Sequence, residues 1–173
     1  MASWHHLKRE EDIVPFGYKI KAAGSFDFQE LYQELQRWVT YNGYTWQETK
    51  YRIVENPGGS KQVEIKWICP KEIDDYITFT IKMDLQVFHS DIEANVDGVK
   101  KKLNKGSYEF RLGAKYEKDW DVWENRMFGN IMKLIYEKIL IRKRIEAFED
   151  MLFAEVHELF NEIKAYMKLY GTE

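Results

Sequence analysis

Three ionisable residues, His89, Asp91 and Glu93, have the types and the spacing that catalysis or metal binding could use. Side chains two residues apart on a β-strand point to the same face. An imidazole and two carboxylates on one face could ligate a metal ion, or act as general acid and general base. The alternative is a polar strand face in solvent, which is common in a chain with 32% charged residues. We favour the polar face and keep an enzyme or metal site as an alternative hypothesis.

The other candidate groups do not complete a known motif. His157-Glu158 lacks the second histidine of the zinc-binding pattern His-Glu-x-x-His. Gly58-Gly59 joins two predicted strands instead of opening a helix beside a phosphate. Cys69 shares a strand face with apolar residues, where a cysteine behaves as a small hydrophobic side chain. We therefore predict no cofactor, and no metal ligand or catalytic residue outside the first hypothesis.

Composition limits the class of protein. The 173 residues, 45% of them apolar and with a single cysteine, predict one globular domain without a disulfide. No segment has the apolar run of a secretory signal or the roughly 20 apolar residues of a membrane-spanning helix, so we expect a cytoplasmic protein. The net charge of −3 argues against general nucleic-acid binding but permits a local basic patch. We expect no specific nucleic-acid partner.

The elements that position these residues begin with a strand and a helix. Alternating apolar residues predict a strand over Val14–Ala22. Asp27 is suited to an N-cap, with Glu30 three residues later, and an apolar stripe then predicts a helix over Phe28–Val39. Asn42-Gly43 supplies the C-terminal stop. Because strands follow this helix, the pattern predicts an α+β fold.

An antiparallel meander follows the first helix. Apolar and polar residues alternate with a period of two, and turn residues separate the alternating segments. The alternation inverts at Phe88, which predicts a bulge or a tight bend near Phe88–Ser90. With the first strand, the meander predicts a sheet of six or seven strands. The strands of the meander lie near Tyr44–Val54, Val63–Cys69, Ile77–Val87, Phe88–Val96, Val99–Leu103 and Tyr108–Tyr116.

Residues 120–170 contain no proline and predict one very long helix. Apolar residues recur every 3.57 positions, and this phase continues through the charged segment Arg142–Arg144. Such a helix would be about 75 Å long, whereas the body would be about 35 Å across. We therefore divide the chain into a loose tail (1–12), a body (13–141) that includes the first half of the helix, and a projecting distal part (142–173).

A projecting helix with an apolar stripe requires a partner that covers it. Residues 130–145 carry a net charge of +4 and residues 146–162 a net charge of −6, so two antiparallel copies would place opposite charges side by side. We predict a homodimer through antiparallel C-terminal helices, with another protein as the alternative partner. The predicted partner-binding residues are Phe148, Leu152, Val156, Leu159, Ile163 and Tyr166.

The order of elements resembles the helix-grip architecture of the START and Bet v 1-like superfamily over residues 14–140. The resemblance implies a curved sheet that wraps the C-terminal helix around a cavity for an apolar small molecule or lipid. This chain has one helix where that superfamily has two after the first strand, and its final helix is longer. The residues that would line the cavity, or else fill an ordinary core, are Trp67, Phe79, Ile81, Met83, Phe110, Leu112, Trp123 and Met127.

Two segments, EKDWDVWENRMFGNIMKLIYEKIL and IRKRIEAFEDMLFAEVHELFNEIKAY, are also similar to uncharacterised archaeal hypothetical proteins. That similarity implies no function. The leading hypothesis from the sequence is a non-catalytic binding or assembly module that acts through its C-terminal helix. A carrier of an apolar ligand is the first alternative, and an enzyme at His89, Asp91 and Glu93 is the second.

Overall fold

The computed structural model describes residues 9–74, 77–96, 99–118 and 142–170 of the chain. These residues form the predicted α+β fold, with one antiparallel sheet of five strands and two helices. The strands are β1 (Arg9–Phe26), β2 (Glu48–Glu55), β3 (Ser60–Glu72), β4 (Ile77–Val96) and β5 (Val99–Lys118). The helices are α1 (Phe28–Tyr41) and α2 (Arg142–Tyr170). Neither of these helices has the length and the apolar composition that crossing a membrane requires.

The strands lie in the order β1-β5-β4-β3-β2. β2 to β5 are neighbours in chain order, as a meander requires, whereas β1 pairs with β5 on the far side of the sheet. β1 and β2 are therefore the two edge strands. One face of the sheet, which we call the inner face, carries the buried apolar residues and both helices, and the opposite side is the outer face.

β4 and β5 are longer than the sequence predicts. Each has 20 residues, and they pair along their whole length without a register shift. The pairing therefore contains no bulge near Phe88–Ser90, and four short predicted strands are two long ones. The sequence pattern inverts because the inner face itself becomes polar beyond Val87. His89 continues that face at 5% exposure, while Phe88 lies on the outer face and is 50% exposed.

β1 includes residues 9–12, which the sequence assigns to a loose tail. The register of its pairing with β5 shifts twice between Asp12 and Tyr18. This irregular segment places Phe16 over Gly113 of β5. A Cβ atom at position 113 would lie 2.8 Å from Cδ2 of the Phe16 ring and 2.9 Å from Cα of that residue. Only glycine at this position allows β1 to approach so closely.

α1 begins and ends where the sequence predicts. The Asp27 side chain accepts a hydrogen bond from the backbone N–H of Glu30 at 3.0 Å, which satisfies one of the free donors of the first turn. The chain leaves the helix through Gly43, whose φ of 79° favours glycine. The apolar stripe of α1 is buried. Its members are Leu31, Leu35, Trp38 and Val39.

α2 lies along the inner face of the sheet and does not project from it. Its 29 residues make it about 43 Å long. It runs antiparallel to α1, because the Tyr166 hydroxyl near its end donates to the Asp27 carbonyl at the start of α1, at 2.8 Å. The predicted projecting arm is therefore wrong. Residues 119–141, which the sequence assigns to the first half of the same helix, lie outside the described residues.

Candidate functional site

The predicted partner-binding residues form the contact between α2 and the sheet. Four of the six are at most 2% exposed, and Phe148 and Tyr166 are partly buried against the same core. The Phe148 ring meets Phe79 of β4 edge-on, with centroids 6.2 Å apart. These side chains therefore cannot form the interface of the predicted antiparallel homodimer. The set is Phe148, Leu152, Val156, Leu159, Ile163 and Tyr166.

The predicted ligand-lining residues on the sheet also lie in the core. Six of them are on the inner face and are at most 1% exposed, within one continuous cluster of buried residues. These six are Trp67, Phe79, Ile81, Met83, Phe110 and Leu112. The other two, Trp123 and Met127, lie outside the described residues. Side chains buried to this extent form a packed core. This is the alternative to a ligand cavity that the sequence left open.

Trp67 has a buried indole N–H whose nitrogen, Nε1, has no hydrogen-bond partner among the described residues. Its ring packs against Trp46 and Tyr32, with centroids 5.1 and 5.7 Å away. The Tyr32 hydroxyl donates to Glu48 at 3.0 Å. Rings this close touch one another, so they leave no space between them for a cation or a further ring. The three rings are part of the core and do not form a ligand cage.

The structure brings His89 and Asp91 together at one end of the inner face. Nδ1 of His89 lies 3.4 Å from Oδ1 of Asp91, and both atoms lie 3.1 Å from Nδ2 of Asn104. The Lys61 ammonium group binds Oδ2 of Asp91 at 2.7 Å. Glu93 is exposed and takes no part in this hydrogen-bonded group. Within the described residues, no three histidine, cysteine or acidic side chains are placed to hold a metal ion.

The hydrogen bonds of Asn104 give His89 and Asp91 a structural role that requires no catalytic function. Its Oδ1 accepts a hydrogen bond from the backbone N–H of Phe28, the first residue of α1, at 3.1 Å. Its Nδ2 therefore donates towards His89 and Asp91, so Nδ1 of His89 is an acceptor. Burial lowers the pKa of His89, and the hydrogen bond from Lys61 lowers the pKa of Asp91. A neutral histidine and a paired carboxylate thus hold the start of α1 on the sheet.

Two buried tyrosines attach α2 to the rest of the molecule. Glu155 of α2 accepts hydrogen bonds from the Tyr44 hydroxyl at 2.5 Å and from Lys71 at 2.8 Å. The Tyr116 hydroxyl of β5 lies 2.9 Å from Glu149 of α2. Burial, followed by the neighbouring carboxylates, raises the pKa of both tyrosines far above the usual range. Both hydroxyls therefore remain protonated donors at neutral pH and hold α2 in a defined orientation.

The outward face of α2, which points away from the sheet, carries exposed apolar side chains. Phe153 is 45% exposed and Met151 is 37% exposed, although both flank the buried Leu152. The His157 ring stacks on Phe153 with centroids 6.0 Å apart and planes 10° apart. This face forms a shallow depression of about 690 Å³. Its lining residues include Phe153, Ala154, His157, Asn161, Glu162 and Ala165.

A narrower groove of about 220 Å³ lies between α1 and α2, and Glu162 lines both it and the depression. Burial raises the pKa of Glu162, and the charges of Glu158 and Glu34 raise it further. Arg37 pairs with Glu34 at 2.6 Å. Residues 146–162, however, contain six acidic side chains and no basic one. Of these six, Glu149 and Glu155 pair with residues on the sheet side. Asp150, Glu158 and Glu162 are exposed, so the outward face of α2 is both apolar and acidic.

The sequence contained a signal for this face that the helical stripe concealed. Met151, Leu152 and Phe153 are three consecutive apolar residues within a helix. Successive helical residues are rotated by about 100°, so three in a row cannot all face the core. At least one of them has to be exposed, and in the structure two are.

Comparisons with known proteins do not assign this chain to a family. No family model, no curated protein and no solved structure matches it. The outward face of α2 is an exposed surface with a large apolar part.

Proposed function

We propose that the protein is a non-catalytic binding module that holds a basic amphipathic helix of another protein on the outward face of α2. The observation that carries the proposal is the exposure of Phe153, 45%, within an apolar depression on a helix whose other side is fully packed. A large aromatic ring in such a depression is the type of side chain that dominates binding energy at interfaces. The buried contacts of α2 keep this ring in place before a partner arrives.

The shape of the face suits a helix. Ala154 and Ala165 are small, so the backbone of a partner helix can approach closely on either side of His157. Phe153 would insert between side chains of that helix, as in ridges-into-grooves packing. From Phe153 to Ala165 the face is about 18 Å long, which matches about three turns of a partner helix.

The charge of the face favours a basic partner over a second copy of this chain. Glu158 and Glu162 are exposed beside the depression, and Asp150 lies about two turns before Glu158. Two copies in contact through this face would bring carboxylates together, whereas lysine or arginine side chains would pair with them. Self-association through the outward face of α2 is therefore disfavoured.

Replacement of Phe153 by glutamate should weaken binding of a basic helix by at least about tenfold, because it removes the central apolar contact. The probe is a fluorescein-labelled 18-residue peptide of leucine and lysine at helical spacing, with affinity measured by fluorescence anisotropy. The matched control is Phe88→Glu, which changes an equally exposed phenylalanine on the outer face of the sheet. Both variants add one negative charge, and at position 153 that charge would itself attract the basic peptide, so a loss of affinity there reports the lost apolar contact.

Three outcomes of this experiment would contradict the proposal. The first is equal affinity of the Phe153→Glu and Phe88→Glu variants for the peptide. The second is equal affinity of the wild-type protein for a peptide that has glutamate in place of lysine. The third is that light scattering shows the free protein to be a dimer and that the Phe153→Glu substitution dissociates this dimer.

Binding of the basic peptide should also release protons. The pKa of Glu162 is raised in the free protein, and a cation beside it would lower that pKa. Affinity should therefore fall as the pH decreases through the raised pKa of Glu162, where the free carboxyl group becomes protonated. Calorimetry in two buffers of different ionisation enthalpy measures the released protons. Glu162→Gln should abolish this release at pH values near the raised pKa, and an unchanged release would show that Glu162 does not contact the peptide.

A further inference from the structure

The middle of the outer face of the sheet is basic although the whole chain is acidic. Between the row of Lys82 and the row of Lys105, eight basic and three acidic side chains point to this face, which leaves five excess positive charges. The chain as a whole has a net charge of −3, so the remainder carries −8. The basic residues are Lys19, Lys21, Lys50, Arg52, Lys66, Lys82, Lys105 and Arg111. The acidic residues are Glu64, Asp84 and Glu109.

Ion pairs within the face leave this excess in place. Three cations share the single carboxylate of Glu109: Lys19 at 2.7 Å, Arg111 at 2.7 Å and Lys21 at 3.3 Å. These cations lower the pKa of Glu109 to about 2, and the hydrogen bond from Lys19 is the largest cause. Lys82 and Arg52 have no ion pair with any described residue. Such an excess of cations on one face is the electrostatic pattern of a surface that binds a polyanion.

Exposed aromatic rings stand at two ends of the same face. Phe88 is 50% exposed on β4, in a depression of about 660 Å³ that Lys21 also lines. Phe16 is 43% exposed, in a depression of about 430 Å³ that Lys66 and Lys82 also line. Lys82 and Phe88 are six residues apart on one strand, or about 20 Å. The two rings therefore lie at either end of the group of cations, over a length that several nucleotides of an extended strand could occupy.

We propose that the outer face binds single-stranded nucleic acid without sequence specificity, with Phe88 and Phe16 stacking on bases and the surrounding lysine and arginine side chains contacting phosphates. Stacking on an aromatic ring needs a base that is free of its own stack, which a single strand offers and a duplex does not. Within the part of the chain that the structure describes, both helices lie on the inner side of the sheet, so a flexible strand can lie across the outer face. This surface is on the opposite side of the sheet from the outward face of α2. Failure of one binding proposal would therefore leave the other unaffected.

Fluorescence anisotropy with a labelled oligothymidine of 12 nucleotides tests the inference on the full chain. Phe88→Ala should lower affinity by about tenfold, since one stacked base is lost. The double variant Arg52→Gln with Lys82→Gln should reduce the magnitude of the slope of log affinity against log salt by about 1.4, or about 0.7 for each phosphate contact. Both changes are at exposed or partly exposed positions, so the fold should be retained, as circular dichroism will verify.

The matched controls are Phe153→Ala and Lys164→Gln on the outward side of α2, which should leave both affinity and salt slope unchanged. Equal affinity of the Phe88→Ala and Phe153→Ala variants would overturn the proposal. Equal affinity of the wild-type protein for a duplex of the same length would also overturn it, because only phosphates would then be contacted. Tighter binding to phosphatidylserine vesicles than to the oligonucleotide would assign the face to a membrane surface instead.

Discussion

Replacement of both Leu152 and Leu159 by glutamate is expected to unfold the protein at neutral pH. Both leucines are at most 1% exposed beneath α2. Each substitution loses roughly 1.5–3 kcal/mol of apolar burial and places a carboxylate in the core, where an unpaired charge costs several kcal/mol more. The total is comparable with the whole 5–15 kcal/mol that typically stabilises a domain. Far-ultraviolet circular dichroism and gel filtration should show loss of the sheet and an expanded chain.

The matched control for this double variant is Phe153→Glu, one residue along the same helix. It adds the same charge at a position that is 45% exposed, and surface substitutions of this kind usually change the free energy of unfolding by less than about 0.5 kcal/mol. A folded Leu152→Glu, Leu159→Glu variant with an intact sheet would contradict the structure. That result is the one expected if α2 projected from the body and its stripe were covered by a second copy.

Truncation of Phe110 to alanine should lower the free energy of unfolding by about 3–5 kcal/mol. Phe110 is fully buried on β5, between β1 and β4, so little of the cavity left by its ring can collapse. Phe79→Ala should have an effect of similar size, because its ring also supports Phe148 of α2. Urea denaturation followed by circular dichroism measures both values.

Phe88→Ala is the control for these truncations, with an expected loss of less than about 0.5 kcal/mol at a ring that is 50% exposed. A loss below about 1 kcal/mol for Phe110→Ala would mean that a void already lies beside its ring. Such a void is what the apolar-carrier hypothesis requires, so this measurement also tests that alternative. The helix-grip resemblance stays a prediction until then.

The local elements could be predicted because their causes are local. Asp27 and Gly43 bound α1 through a side-chain cap and a positive φ, which depend on a few neighbouring residues. Period-two alternation likewise identified the buried side of β3 and of the first half of β4. The same rule failed at Phe88, because it assumes that the inner face is apolar along its whole length. His89 keeps its place on that face through a hydrogen bond from Asn104 of β5 and through stacking with Phe28 of α1, which the pattern does not contain.

The candidate sites were harder to predict, because exposure depends on what covers a residue. Phe153 and Phe88 are both aromatic residues within regular elements. The apolar run Met151–Phe153 requires one exposed residue but does not say which, and no such run marks Phe88. The excess charge on the outer face also appears only after β1 pairs with β5, which brings Lys19 and Lys21 beside Glu109 and Arg111. Residues so far apart in the chain cannot be grouped from spacing alone.

The sequence by itself determined which face of α2 is apolar, and the tertiary structure decided what covers that face. Leu152, Val156 and Leu159 recur at helical spacing, and this alone required their burial. The hydrophobic effect is non-directional, so a second copy, a foreign partner or the chain's own sheet would satisfy the requirement equally well. Contacts of α2 with β1 and β5 settle the matter in favour of the sheet. Once that side was covered, the opposite side of α2, with Phe153 and the glutamates, remained exposed as the surface available for binding.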